Sequence, residues 1–508
     1  MGAVAGELAP LGGRQSRRIG RSPFDAHFSP IVKGGVLAST AGVFGAALCW
    51  LLGFKVVALW MGPEGVGLFS QLRQVIQAAT VAATFGGTTV VVQGLAERGD
   101  ELARQRFRTI AFRYTGIAGT AIALVMAIAA QPITLLLFSS TAPDIIATVR
   151  WIAAAVLLSI GATYALAVLN GYRSYRDLAV AQIAGPAVLV IVLGGAWWWS
   201  QPASHALLTV SFIMCFGVTC LLAAYGVSRL PRLGGESMPG TLSKAESGAL
   251  IRFAISTLAS AMATTLTLLL VRSWVIEAKG LAFAGLFDAG WTLTFNYTTL
   301  LLTACNAIYL PLLTAARHPN EQKACMLKTA YLVLGISILA CNALVLFREP
   351  LLDLFYSPQF QESGRILMIL VIAVIFRGVS WVYGTLMLAT RSSRALVASD
   401  LAANLLLLAA TRYVLNNSPS LEALGWAFVL PNFLYFVFVV EFARMKNRLM
   451  CRRDIWPLLA GGTMPLICLA LVSTRSRTAP PEPVAMICAG IGLAVAIAAF
   501  IARRRVVP

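Results

Sequence analysis

The sequence predicts an all-α polytopic membrane protein of about 14 transmembrane helices: two six-helix lobes in parallel repeat, plus two C-terminal helices. Three observations predict it. The 508 residues are 58% hydrophobic and only 12% charged, with a mean hydropathy of +0.78, whereas soluble domains carry about 25% charged residues. Apolar runs of roughly 18–25 residues, the length a helix needs to cross a bilayer, recur from residue 36 to residue 502. Similar stretches also return at one constant spacing.

Taken in order between charged or Pro/Gly breaks, the spans fall near 36–60, 66–94, 107–130, 147–169, 177–199, 206–227 and 250–275. They continue near 285–313, 326–347, 363–388, 396–414, 424–443, 456–473 and 484–502. None shows the alternation of a barrel strand. One alternating set of connections, with both termini, carries 28 Lys and Arg residues, and the other set carries seven. Positive-inside bias puts the Arg-rich set and both termini in the cytoplasm. Trp197, Trp198 and Trp199 then end the fifth span at the outer interface.

The net charge of +19 is spread over short loops between spans, so nucleic acid is not expected as a partner. The nine cysteines lie in spans or basic loops, and the three histidines are scattered, so neither a disulfide framework nor a metal cluster is expected. Residues 1–34 read as a basic cytoplasmic tail and not as a signal peptide.

The repeat has an offset of 218 residues. RSYRDL (173–178) matches RSSRAL (391–396), PITLLLFS (132–139) matches PLLDLFYS (350–357), and GLF (67–69) recurs at 285–287. Six spans fit in that offset, so the two copies keep the same orientation, as in parallel-repeat transporters. The expected division is an N-lobe at 35–228, a cytoplasmic linker at 229–249, a C-lobe at 250–445, and the last two helices with a basic C-terminus at 446–508.

Five basic residues fall inside spans: Lys55, Arg73, Arg113, Arg272 and Arg377. Charges at such depth cost roughly 2.5–3.5 kcal/mol on insertion scales and mark internal or watery surfaces. In the second span Ser70, Arg73, Gln77, Thr80, Thr84 and Thr88 form one polar face. In the eighth, Asp288, Thr292, Asn296, Thr299, Thr303 and Asn306 do the same, and the seventh adds Thr265 beside Arg272. Both stripes are expected to line a central cavity. Lys55 lies 217 residues before Arg272, close to the repeat offset, so the two cations are expected at similar depth. The competing reading for Lys55, Arg113 and Arg272 is snorkelling to the headgroups, and for Asp288 a structural pair with an arginine. An electropositive cavity calls for an anionic ligand, and a diphosphate matches the arginine fork.

Three stretches carry a resemblance: LWMGPEGVGLFSQLRQVIQ (59–77), LNGYRSYRDLAVAQIAG (169–185) and the unit at 266–313 that contains GLFDAGWTLTFNYTTLLLTACNAIYLPLL. They resemble the O-antigen translocases, and most closely the lipid III flippases of enterobacterial common antigen synthesis. These lie within the multidrug/oligosaccharidyl-lipid/polysaccharide (MOP) exporter superfamily, which implies a MATE/MOP-like fold. The resemblance covers most of residues 36–445. It implies a transporter and not an enzyme, flipping an undecaprenyl-diphosphate-linked oligosaccharide by alternating access of the lobes. It also implies membrane lipids as partners, association with glycan polymerase and chain-length machinery, and coupling to a proton or Na+. On this reading Lys55, Arg73, Arg272 and Arg377 bind the diphosphate, Arg113 makes the first cytoplasmic contact, and Asp288 is the coupling site.

Rival readings are weighed by chemistry. A lipid II or teichoic/capsular precursor flippase shares the cationic cavity. A multidrug exporter for organic cations would favour acidic residues there, and the first span offers lysine. A glycan polymerase would need a positioned acid or base, and usually a large outer loop.

Overall fold

The computed structural model describes residues 30–505 apart from 85–87, 97, 99, 200, 201, 203, 231–243, 297, 300, 301, 303, 304, 306–308, 310–312, 314–317, 390–392, 448–454 and 477–481. Most of the described residues are helical. In chain order they form α1 (Pro30–Ala83), α2 (Thr88–Ala96), α3 (Glu101–Ile128), α4 (Ala130–Phe138), α5 (Pro143–Gly171), α6 (Tyr175–Trp198) and α7 (His205–Ser228). Then come α8 (Lys244–Trp291), α9 (Pro319–Leu346), α10 (Arg348–Phe355), α11 (Ser363–Ala389), α12 (Ser393–Asn417) and α13 (Leu421–Asn447). The chain finishes with α14 (Trp456–Ser476) and α15 (Glu482–Arg505). Among the described residues, 11 helices are long and apolar enough to cross a membrane. Dividing the two that are bent and adding the shorter Trp456–Val472 brings the apolar segments to 14, the number read from the sequence.

The two bends are single glycines. Gly62 has φ 63° and Gly280, 218 residues later, has φ 84°. A residue with a Cβ adopts that conformation only under strain, and Pro63 completes the first break by removing a backbone donor. Each bent helix therefore continues into a second apolar segment without an intervening loop. The sequence separates these spans by several residues, whereas the fold joins them through one residue.

Close approach across the molecule needs glycine as well. The backbones of Gly67 and Gly285 face one another, so that a Cβ on Gly67 would strike the Leu281 carbonyl and one on Gly285 the Pro63 carbonyl. This crossing lies just inside the two bends, on the Arg-poor side. The connections at 132–139 and 350–357, which lie between spans in the sequence, form the short helices α4 and α10.

Within the first half α1 packs on α6, and α5 packs on α7 and α3. Within the second, α11 packs on α13, and α12 on α8 and α13, while α14 and α15 lie against α9 and α11. The main contact between the halves is α1 against α8. α11 is the most enclosed helix, and its run from Ile366 to Phe376 is buried at every position. One residue on from that run is Arg377.

Candidate functional site: a cationic cavity between the halves

A cavity of about 330 Å³ lies between α1, α8, α11, α12 and α13. Its charged lining residues are Arg73, Arg272, Arg377 and Asp288, three cations against one anion. Ser70 and Gln77 reach it from α1, and Asn296 and Thr299 from the chain after α8. The segment Thr292–Asn296 winds as a π-helical turn, a local expansion that re-aims side chains and recurs at functional sites.

Arg272 is fully engaged. It is 6% exposed, and its Nε donates to Asp288 Oδ1 at 3.0 Å while Nη2 donates to the same oxygen. Its Nη1 donates to Gln74 Oε1 at 2.6 Å, across the boundary between the halves. Gln74 Nε2 in turn donates to the Thr265 carbonyl at 3.0 Å, and Thr292 Oγ1 donates to Asp288 Oδ2 at 3.3 Å. Asp288 thus offsets one of the three lining cations. The Arg73 guanidinium lies 4.6 Å from the Trp50 ring centroid and 5.7 Å from that of Phe54, and Arg377 lies 5.5 Å from the Tyr435 ring. Aromatic faces hold a guanidinium in place without neutralising it.

Asp288→Asn tests how much this pairing matters. Removing one partner from a buried pair costs about 3–5 kcal/mol, so the thermal midpoint of the purified variant is expected to fall sharply. A variant replacing both partners with apolar residues, Arg272→Met with Asp288→Leu, is expected to recover most of the loss.

Several expected cavity residues lie elsewhere. Lys55 is turned away: its Nζ donates to the Asp353 and Tyr356 carbonyls at 2.7 and 2.5 Å, capping the C-terminal end of α10. The residue 218 positions after Lys55 is Ser273 and not Arg272. One residue is about 100° around a helix, so equal depth did not mean equal direction. Arg113 is exposed on α3 and outside the cavity. The polar stripe of α1 leaves the cavity after Gln77, where α5 covers it: Thr80 Oγ1 shares a 3.0 Å hydrogen bond with Ser159, and Thr84 bonds back to the Thr80 carbonyl. Thr265 bonds back to the Ala261 carbonyl, and its neighbour Thr264 faces the cavity instead. Thr292 faces a second, adjoining space. The side chains of Thr88, Thr303 and Asn306 lie outside the described residues.

Gln71 and Gln74 also join the halves, although neither is among the expected cavity residues. Gln71 Nε2 donates to the Leu137 carbonyl at 3.1 Å and to Ser273 Oγ at 2.9 Å, a second polar tie between the halves. The signal was present as Gln71, Gln74 and Gln77 at steps of three. Likewise outside the expected set is the aromatic wall of Trp291 and Phe295, whose rings stack at 4.1 Å and 7°, with Phe428 against them. Asn404 and Asn432, amides inside spans, complete that side of the cavity.

No protein-family model matches the chain. It is 24% identical over 399 residues to the lipid III flippases of Escherichia coli (strain K12) and Shigella flexneri, covering 77% of this chain and 91% of each relative. Among solved structures, an inward-facing MATE-family multidrug transporter of the MOP superfamily aligns with a TM-score of 0.65 at 14% identity, covering 81% of this chain and 94% of that one. The lipid II flippase MurJ in an inward closed conformation aligns with a TM-score of 0.63 at 12% identity, covering 91% and 98%. The chain is a distant homologue of the lipid III flippases with the MATE/MOP-like fold.

Proposed function

We propose that this distant relative of the lipid III flippases carries an undecaprenyl-diphosphate-linked oligosaccharide from the cytoplasmic to the periplasmic leaflet of a bacterial inner membrane. The observation that carries the reading is the charge of the cavity wall: Arg73, Arg272 and Arg377 against Asp288, between two halves of a transporter fold. A desolvated cationic wall favours a ligand with concentrated negative charge, and a diphosphate offers oxygens for more than one guanidinium. Arg73 and Arg377, each laid on aromatic rings, are its proposed partners. The stacked Trp291 and Phe295 offer an apolar face for a sugar ring, and Asn296, Asn404 and Asn432 offer amides for its hydroxyls.

The halves meet on the Arg-poor side through the Gly67–Gly285 crossing, the Lys55 contact with α10, and the ties from Gln71 and Gln74. That supports a state closed to the periplasm, in which the cavity loads from the cytoplasmic leaflet. Arg272 links loading to closure, because an incoming phosphate competes with Gln74 for the same guanidinium. Asp288 is the proposed site of a coupling proton or Na+, since neutralising it would release Arg272 to the cargo.

The test is reconstitution into liposomes with defined lipid-linked glycans, scoring which becomes accessible on the far leaflet. Movement of a diphosphate-linked oligosaccharide, and not of an organic cation, is expected. Lipid II in a parallel arm separates the peptidoglycan precursor from other glycans. Failure of every diphosphate-linked lipid to move would overturn the proposal.

A further inference from the structure

A second space of about 420 Å³ adjoins the cationic cavity on the side of the first half. The two share Phe54, Arg73, Asn296 and Thr299, so Arg73 stands at the junction. Their chemistry differs. Val43, Ala46, Ala47 and Trp50 line the second space from one face of α1, and Pro186 and Phe216 line it from α6 and α7. Gln182 and Thr219 are its polar exceptions on α6 and α7. Residues 43, 46, 47, 50 and 54 recur at helical steps, so the space is an elongated groove. It follows α1 for about 16 Å from Arg73 toward the Arg-rich side.

A diphosphate at the end of a purely polar ligand would need the first cavity alone. The groove has a place only for a ligand whose phosphate joins a polar part to an apolar, extended part. We propose that the groove receives the proximal isoprenoid units of the cargo, with the diphosphate at Arg73 and the first sugars in the cationic cavity. This rests on the flippase reading and adds to it. The protein recognises the lipid as well as the head, and the first units of the chain leave the bilayer to lie along α1. The small side chains of Ala46 and Ala47 give a branched chain its width. Trp50 lines the groove, and the Arg73 guanidinium that borders both spaces lies over its ring.

The test is titration of the full-length protein in lipid nanodiscs with inorganic pyrophosphate, dimethylallyl diphosphate and farnesyl diphosphate, with protein-free nanodiscs correcting for partition. Farnesyl diphosphate is expected to bind at least tenfold more tightly than pyrophosphate. Ala47→Leu is expected to remove that gain and leave pyrophosphate binding unchanged. Val43→Phe, at the far end of the groove, is expected to weaken farnesyl diphosphate and spare dimethylallyl diphosphate. Equal affinity for all three probes, or a farnesyl gain untouched by both variants, overturns the groove assignment. Pyrophosphate binding that survives Arg73→Ala overturns the diphosphate site of the flippase reading instead, and the chain-length comparison still reads the groove independently.

Discussion

Arg73→Ala is expected to abolish glycan export in a complementation assay while protein abundance in the membrane holds. Arg73 is one of the three cations that line the cavity, and its guanidinium lies over the Trp50 ring and beside Phe54. Truncating one member of a desolvated charge pair costs about 2–5 kcal/mol, which is roughly thirtyfold to a few thousandfold in binding. Arg377→Ala is expected to fall in the same range. Arg73→Lys is the discriminating control. It keeps the charge but loses the planar fork and its stacking on Trp50, so partial activity is expected. Full export from both alanine variants would remove the diphosphate site.

The second large effect belongs to the glycine crossing. Gly285→Val is expected to stop translocation, because its Cβ would strike the Pro63 carbonyl, a backbone atom that cannot swing aside. Overpacking of this kind costs about 1–3 kcal/mol. A bias of about 2 kcal/mol moves a two-state equilibrium roughly thirtyfold, so the variant is expected to favour the form open on the Arg-poor side. Thiol cross-linking between cysteines placed on the two sides of the crossing checks this, and yield is expected to fall. Gly194→Ala, where an added methyl meets open space, is the matched control and is expected to behave as wild type.

Much of the fold was legible because a bilayer enforces length and apolarity span by span. The cavity lining was legible where polarity was anomalous inside a span. Arg73, on a polar stripe, and Arg377, near the middle of its span, both line the cavity. Direction was not legible. Lys55 and Arg272 share a depth, but one residue of phase sends the first to α10 and the second to Asp288. Thr80 and Thr84 continue the periodic stripe of Ser70, Arg73 and Gln77, but periodicity does not say which neighbour covers the stripe, and there α5 does. The bends at Gly62 and Gly280 were hidden for another reason. A glycine near a span end reads equally as a loop residue, and its positive φ is a property of the folded chain alone.

The ammonium of Lys55 rests on the negative end of α10, an arrangement stabilising by about 0.3–1 kcal/mol when exposed and up to about 2 kcal/mol when partly buried. Parting the two helices obliges that ammonium to trade main-chain acceptors for water. The contribution does not depend on what fills the cavity, so it favours contact between the halves on the Arg-poor side in the empty and the loaded protein alike.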